Sequence, residues 1–183
     1  MTVLCVTDGG GAEVGAARAD TVRRREAELR HALDQLGILR PPVLLGLADG
    51  TIREQRDVVA ARLRTTLPGL AKDTLVVAPW VGDGHRDHRV LGEVCVEFAA
   101  DEQLTLWQYP VWMWHWGSPD HPDVPWPLLV SVALDREQRE VVARALEAFA
   151  SQRSGSPPML HARFLEHFDR NREYFVADVG GAA

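Results

Sequence analysis

Thr74-Leu75-Val76-Val77-Ala78-Pro79-Trp80-Val81-Gly82-Asp83-Gly84-His85-Arg86-Asp87-His88-Arg89 is the stretch on which the fold turns. Its opening residues are apolar and β-branched and are closed by a proline, which predicts a strand. The loop over 82–88 then leads into an apolar-periodic segment reaching about residue 100, which predicts a helix. A strand, a loop and a helix in that order make one unit of an α/β fold, where right-handed crossovers join parallel strands.

The same unit occurs twice upstream. Val3-Leu4-Cys5-Val6 is a short strand run ended by Asp8 and three glycines. Residues 21–36 predict a helix, because Leu29, Ala32, Leu33 and Leu36 recur at helical spacing. Asp20 or Thr21 can cap its start, and Gly37 stands where a left-handed residue ends a helix. Val43-Leu44-Leu45-Gly46-Leu47 predicts a second strand, closed by Asp49-Gly50. Thr51 then caps a helix to about residue 67, with Val58, Val59 and Leu63 inward. Three consecutive units predict one domain over residues 1–183 with a mostly parallel sheet.

Downstream the pattern loosens. Residues 104–116 read as extended, with Trp112, Trp114 and Trp116 alternating onto one strand face. That face either packs into the core or a partner subunit, leaving room for a homo-oligomer, or stacks on sugar rings. Residues 117–127 are proline-rich, and 128–133 predict a strand. Asp135 caps a helix to about residue 152, residues 151–158 form a Ser/Gly/Pro linker, 160–168 a short helix and 174–176 a last strand.

Composition bounds the function. A chain of 183 residues, 46% hydrophobic and 25% charged, suits an ordinary globular protein. A net charge of −6 argues against a nucleic-acid or anionic-membrane surface. No apolar run approaches the ~20 residues of a membrane span. The first residues lack the basic start of a secretory signal, so a cytoplasmic location is expected. Cys5 and Cys95 lie in apolar stretches, which suits reduced, buried thiols over a disulfide.

Open parallel sheets bind ligands beyond the carboxyl ends of their strands. Thr7-Asp8-Gly9, Asp49-Gly50 and the 82–88 loop all follow strands, so they are expected to converge on one edge of one sheet. His85-Arg86-Asp87-His88 places two imidazoles three residues apart around a carboxylate. Near a helix start this lets one imidazole ligate a metal while the other faces substrate, with the carboxylate fixing a histidine tautomer. A solvated loop with ordinary surface histidines remains the alternative on spacing alone. The glycine-rich stretch from Gly9 fails the dinucleotide pattern, because Val14 stands where glycine is required, and no G-K-[ST] follows. Arg25 and Glu28 are spaced to pair on one helix face. His115, Asp120, His121 and Asp123 read as solvent-facing.

Taken in order, these residues resemble the LmbE-like (PIG-L) family of zinc-dependent N-deacetylases. Val3 to Gly9 looks like the family's second strand and its T-D-G turn. Arg25, Glu28, Ala32 and Leu36-Gly37 resemble its R-x-x-E-x-x-x-A-x-x-x-L-G helix, and Asp49-Gly50 its next turn. Asp83-Gly84-His85-Arg86-Asp87-His88 is similar to its H-P-D-H motif, with arginine for proline. The resemblance implies a Rossmann-like three-layer α/β/α fold and hydrolysis of an acetyl group from a small N-acetylglucosamine-type conjugate, with Zn2+ as cofactor. It implies His88 as a zinc ligand, His85 as the group stabilising the tetrahedral intermediate and Asp87 as orienting a histidine. Asp49 and Arg25 would contact substrate hydroxyls.

The family opens with a strand ending in H-P-D-D-E, which supplies two more zinc ligands and the general base, and nothing in this sequence replaces it. The resemblance therefore implies that the first family strand is missing, and that the chain as written holds zinc weakly and does not turn over. If the reading frame has been shortened, the motif is expected in frame about 30–40 residues before Met1, one strand and one crossover. The alternative is a non-catalytic relic or sugar-binding module of the same fold.

Overall fold

Strands and helices alternate from Leu4 to Tyr109 in the computed structural model, which describes residues 1–11, 14–154 and 158–177. They are β1 (Leu4–Thr7), α1 (Gly15–Gln35), β2 (Val43–Leu47), α2 (Arg56–Thr66), β3 (Leu75–Pro79), α3 (Arg86–Glu102) and β4 (Thr105–Tyr109). There follow α4 (Met113–Trp116), a 3-10 turn at Trp126–Leu128, β5 (Leu129–Ala133), α5 (Arg136–Glu147), α6 (Ala150–Arg153), α7 (Ala162–Leu165) and β6 (Arg172–Ala177). β1 pairs with β2 and β3 with β4 in parallel, while β6 joins β4 antiparallel. This is the expected α/β class, Rossmann-like and rich in parallel pairs. The strands fall into two sheets, β1-β2 and β3-β4-β6-β5, where one was expected. Strand periodicity marks which residues pair but carries no information on which strands become neighbours.

Two compact units result: Met1–Asp49 with Ala133–Glu173, and Gly50–Val132 with the segment from Tyr174. In the first, α1 starts well before residue 21, because Ala16, Ala17 and Ala19 are strong helix formers that extend it back to Gly15. Asp20 therefore lies inside the helix, paired with Arg23, and the helix has no side-chain cap. At the far end Gly37 takes φ +71. Its N–H donates to Asp34 and that of Ile38 to Leu33, a Schellman closure. Ala32 of α1 packs with Ala145 and Ala148, small residues that let α1 and α5 approach closely, and Phe149 covers the seam. Asp135 caps α5 as predicted, in a full capping box with Gln138. The helix stops at Glu147, and α6 begins after a break. Glu28 is not paired with Arg25: its carboxylate accepts from the N–H and hydroxyl of Ser151, both at 2.7 Å. Parts of the glycine-rich stretch (residues 12–13) and of the predicted linker (155–157) lie outside the described residues.

In the second unit β3 and β4 run in register from Leu75 opposite Thr105 to Pro79 opposite Tyr109. The buried Gln108 amide donates to the Pro79 carbonyl at 3.1 Å. α3 packs on both strands, burying Val90, Val94, Cys95, Phe98 and Ala99. α2 lies against α3 through Val59 and Leu63, and Ile52 is buried just before it. Val58, expected inward, is exposed, since about 100° of helical rotation per residue carries it off the stripe of Val59. Beyond β4 the chain does not stay extended but coils into α4, so the three tryptophans do not share a strand face. Trp114 and Trp116 pack against a core of Trp80, Met113, Val124 and Val176. Trp112 stays 44% exposed. Among the described residues no helix is long and apolar enough to cross a membrane.

Candidate active site

β3 delivers the chain at Pro79 into a tight loop that ends where α3 begins. Gly84 takes φ +88, and a β-carbon there would lie 2.8 Å from the indole nitrogen of Trp116. That indole donates to the Asp83 carbonyl at 3.0 Å, and Trp116 stacks on Trp80. The Asp83 side chain is fully buried with both oxygens engaged. Oδ1 accepts the backbone N–H of Val111 (2.7 Å) and Met113 (3.0 Å), while Oδ2 lies 2.6 Å from Nδ1 of His88. Drawing two N–H groups so close in sequence onto one oxygen is what folds residues 111–116 out of the extended form. Burial pushes the Asp83 carboxyl up, but the His88 contact and the N–H groups of residues 111–113 outweigh it and hold it below the usual carboxylate range.

His85 is the extended residue before α3, and Asp87 and His88 occupy the first turn, where the helix dipole favours negative charge. The His85 ring sits 4.5 Å from that of His88 and 5.3 Å from Trp112. Asp87 is buried, its Oδ2 accepting the Gly50 N–H at 2.7 Å and its Oδ1 without a hydrogen-bond partner among the described residues. Arg86 donates to the Gly50 carbonyl and to Glu54. The carboxylate placed on His88 is thus Asp83 and not Asp87, which pins the Gly50 turn to the helix start. Asp83 was missed because glycines flank it, outside any periodic pattern. The available signal was an acid in the loop after a strand and five residues before a histidine.

The first unit carries the other expected residues. Asp8 follows β1, accepts from the Gly10 N–H at 2.9 Å and pairs with Arg18. Burial raises its carboxyl, but Gly10, Arg18 and the Asp49 N–H together bring it below the usual range. Asp49 is half-buried just beyond β2. Arg25 runs along Gly9, its Cδ 3.0 Å from where a β-carbon would stand there, and its Nε is buried without a hydrogen-bond partner among the described residues. It lines a cavity of about 290 Å³ together with Cys5, Asp8, Glu26 and Phe149. Both cysteines are free. Burial, with the charges of Asp49, Asp8 and Glu26, raises the Cys5 thiol, and burial pushes Cys95 up to about 12. Both shifts favour the protonated thiol.

His85, Asp87 and His88 are therefore gathered with Asp83, while Arg25 and Asp49 stand in the other unit with Asp8 and Arg18. The second unit's donors fit one corner of a metal site. An imidazole whose Nδ1 meets a carboxylate presents Nε2, as metal-ligating histidines do. Among the described residues, no group of three or more His, Cys, Asp or Glu side chains gathers to complete it.

The family model described as PIG-L, GlcNAc-PI de-N-acetylase, matches residues 1–99, a span holding every one of these polar residues. No curated protein sequence matches the chain. Among solved structures it is similar to the A40926 pseudoaglycone deacetylase Dbv21, with 21% identity and a TM-score of 0.64 over 96% of this chain and 84% of that one. At that identity the likeness is one of fold.

Proposed function

The chain belongs to the PIG-L family, and from that membership we propose that it is a zinc-dependent N-deacetylase acting on small N-acetylglucosamine-type conjugates. The observation that supports the reading best is the placement of His88 beside His85 at the carboxyl end of β3, with Nδ1 of His88 taken by a buried carboxylate. His88 would be one ligand of the ion, which when bound lowers the pKa of a coordinated water to about 7. His85 would meet the acetamide oxygen and stabilise the negative charge it gains as the carbonyl becomes tetrahedral. Trp112, exposed against His85, would wall the acyl side, and Arg25 and Asp49 would hold sugar hydroxyls. The water's oxygen would join the acetyl carbon and one of its protons the nitrogen as the C–N bond breaks, giving acetate and an amine with the second proton released. We read both units as parts of one deacetylase domain working in the cytoplasm.

Among the described residues no group of three or more His, Cys, Asp or Glu lies together, so two more ligands beside His88 and a general base, of the kind an H-P-D-D-E segment supplies, would complete the proposed site. The test is acetate release from N-acetylglucosaminyl conjugates with zinc added, on the 183-residue chain and on the longest chain encoded in the same frame. The longer chain is expected to turn over and to lose about 10²–10³-fold in kcat on His85→Ala; residues 1–183 alone are expected to release none. Zinc-independent binding of amino sugars, unchanged by His88→Ala and with no acetate released by either chain, would instead establish a sugar-binding module.

A further inference from the structure

The hydrogen bonds around Asp83 leave its carboxylate one orientation. Turning it would strip the acceptor from the N–H groups of both Val111 and Met113, which bond a side chain buried from solvent. Oδ2 is therefore fixed toward His88, and an ionised carboxylate only accepts. The imidazole nitrogen it meets must carry a proton. The Trp116 indole on the Asp83 carbonyl and the left-handed backbone at Gly84 hold the loop from the other side.

We propose that Asp83 is the positioning residue that sets the tautomer of His88, keeping the proton on Nδ1 and leaving Nε2 as the bare nitrogen offered to a metal. The metal half of this rests on the deacetylase reading; the tautomer half does not. The nitrogen Nδ1 of His88 meets Asp83 and not Asp87, the acid between the two histidines in sequence, one of whose oxygens accepts from the Gly50 N–H.

Asp83→Asn separates the two oxygens chemically with little change of shape. The two backbone N–H groups require an acceptor, so the amide oxygen takes the place of Oδ1. The amide NH2 then faces Nδ1 of His88 as a donor. Nδ1 becomes the acceptor, and the proton moves to Nε2. The opposite amide orientation would set donors against donors at Val111 and Met113.

The test is the pair of ring 15N signals of His88, read through long-range 1H–15N correlations on the 15N-labelled, metal-free 183-residue chain at a pH where the ring is neutral. His88→Ala assigns the signals. The protonated nitrogen is expected at Nδ1 in the unmodified chain and in Asp87→Asn, and at Nε2 in Asp83→Asn. A proton on Nε2 in the unmodified chain overturns the proposal, and that measurement does not depend on whether any variant folds. An unchanged tautomer in a folded Asp83→Asn also overturns it. Zinc titration against a chromophoric chelator, on the longest chain encoded in the same frame, is the second arm. There Asp83→Asn is expected to weaken binding about 10–100-fold. If the tautomer switches as expected but zinc binds that chain no better than its His88→Ala variant, the metal reading fails while the positioning role stands.

Discussion

At Gly84 the backbone conformation and the neighbouring ring leave no room for a side chain. Gly84→Ala would hold an L-residue at φ +88 and press its β-carbon on the Trp116 indole. It is expected to cost about 1–3 kcal/mol, read as a lowered urea midpoint with an altered tryptophan emission. Asp8 contributes one part of the pH dependence of the first unit. Its carboxyl is held below the usual range when folded, so its stabilisation is present above the unfolded value of about 3.9 and is lost as pH falls through the folded value. Asp8→Asn is expected to lower stability by about 1 kcal/mol at neutral pH. The gap to the unmodified chain should close as urea midpoints are followed into acid. Residues whose partners are local were legible in the sequence: Gly37 after α1 and Asp135 before α5 behave as their neighbours dictate. Asp83 and Glu28 were not, because they bind groups 28 to 30 and 123 residues away, and no local pattern reports such partners.

Among the elements, composition and periodicity identified the strands well, since apolar β-branched runs bounded by Gly, Pro and Asp have few alternative uses. Helix ends were set by other forces. α1 grew backward through an alanine-rich stretch without a cap, and α4 formed because a buried aspartate collects two N–H groups from what reads as a strand. α5 is the helix whose start depends on local chemistry, since both halves of its box are made: Asp135 accepts the Gln138 N–H at 2.8 Å and the Gln138 side chain returns at 2.9 Å. Asp135→Ala is expected to cost about 1 kcal/mol. Asp135→Ser, which keeps an acceptor, should recover most of it in the same thermal melts.

For the whole molecule, the α/β class and its parallel preference followed from three repeated units, and the partition of strands between two sheets did not. Among the described residues β3 is bonded on one side only, to β4. Because successive N–H groups of a strand point to opposite sides, and that of Trp80 reaches Tyr109, the amides of Ala78 and Val76 point toward β4 while that of Val77 points away. Val77 is also 47% exposed. Deuterium uptake along this strand should therefore alternate, with the Val77 amide exchanging much faster than those on either side of it. A uniformly slow strand would mean that the open side is occupied in solution. The one fast amide thus becomes a clock for that edge: whatever comes to lie beside β3, from an extended chain or from another copy, will announce itself by stopping it.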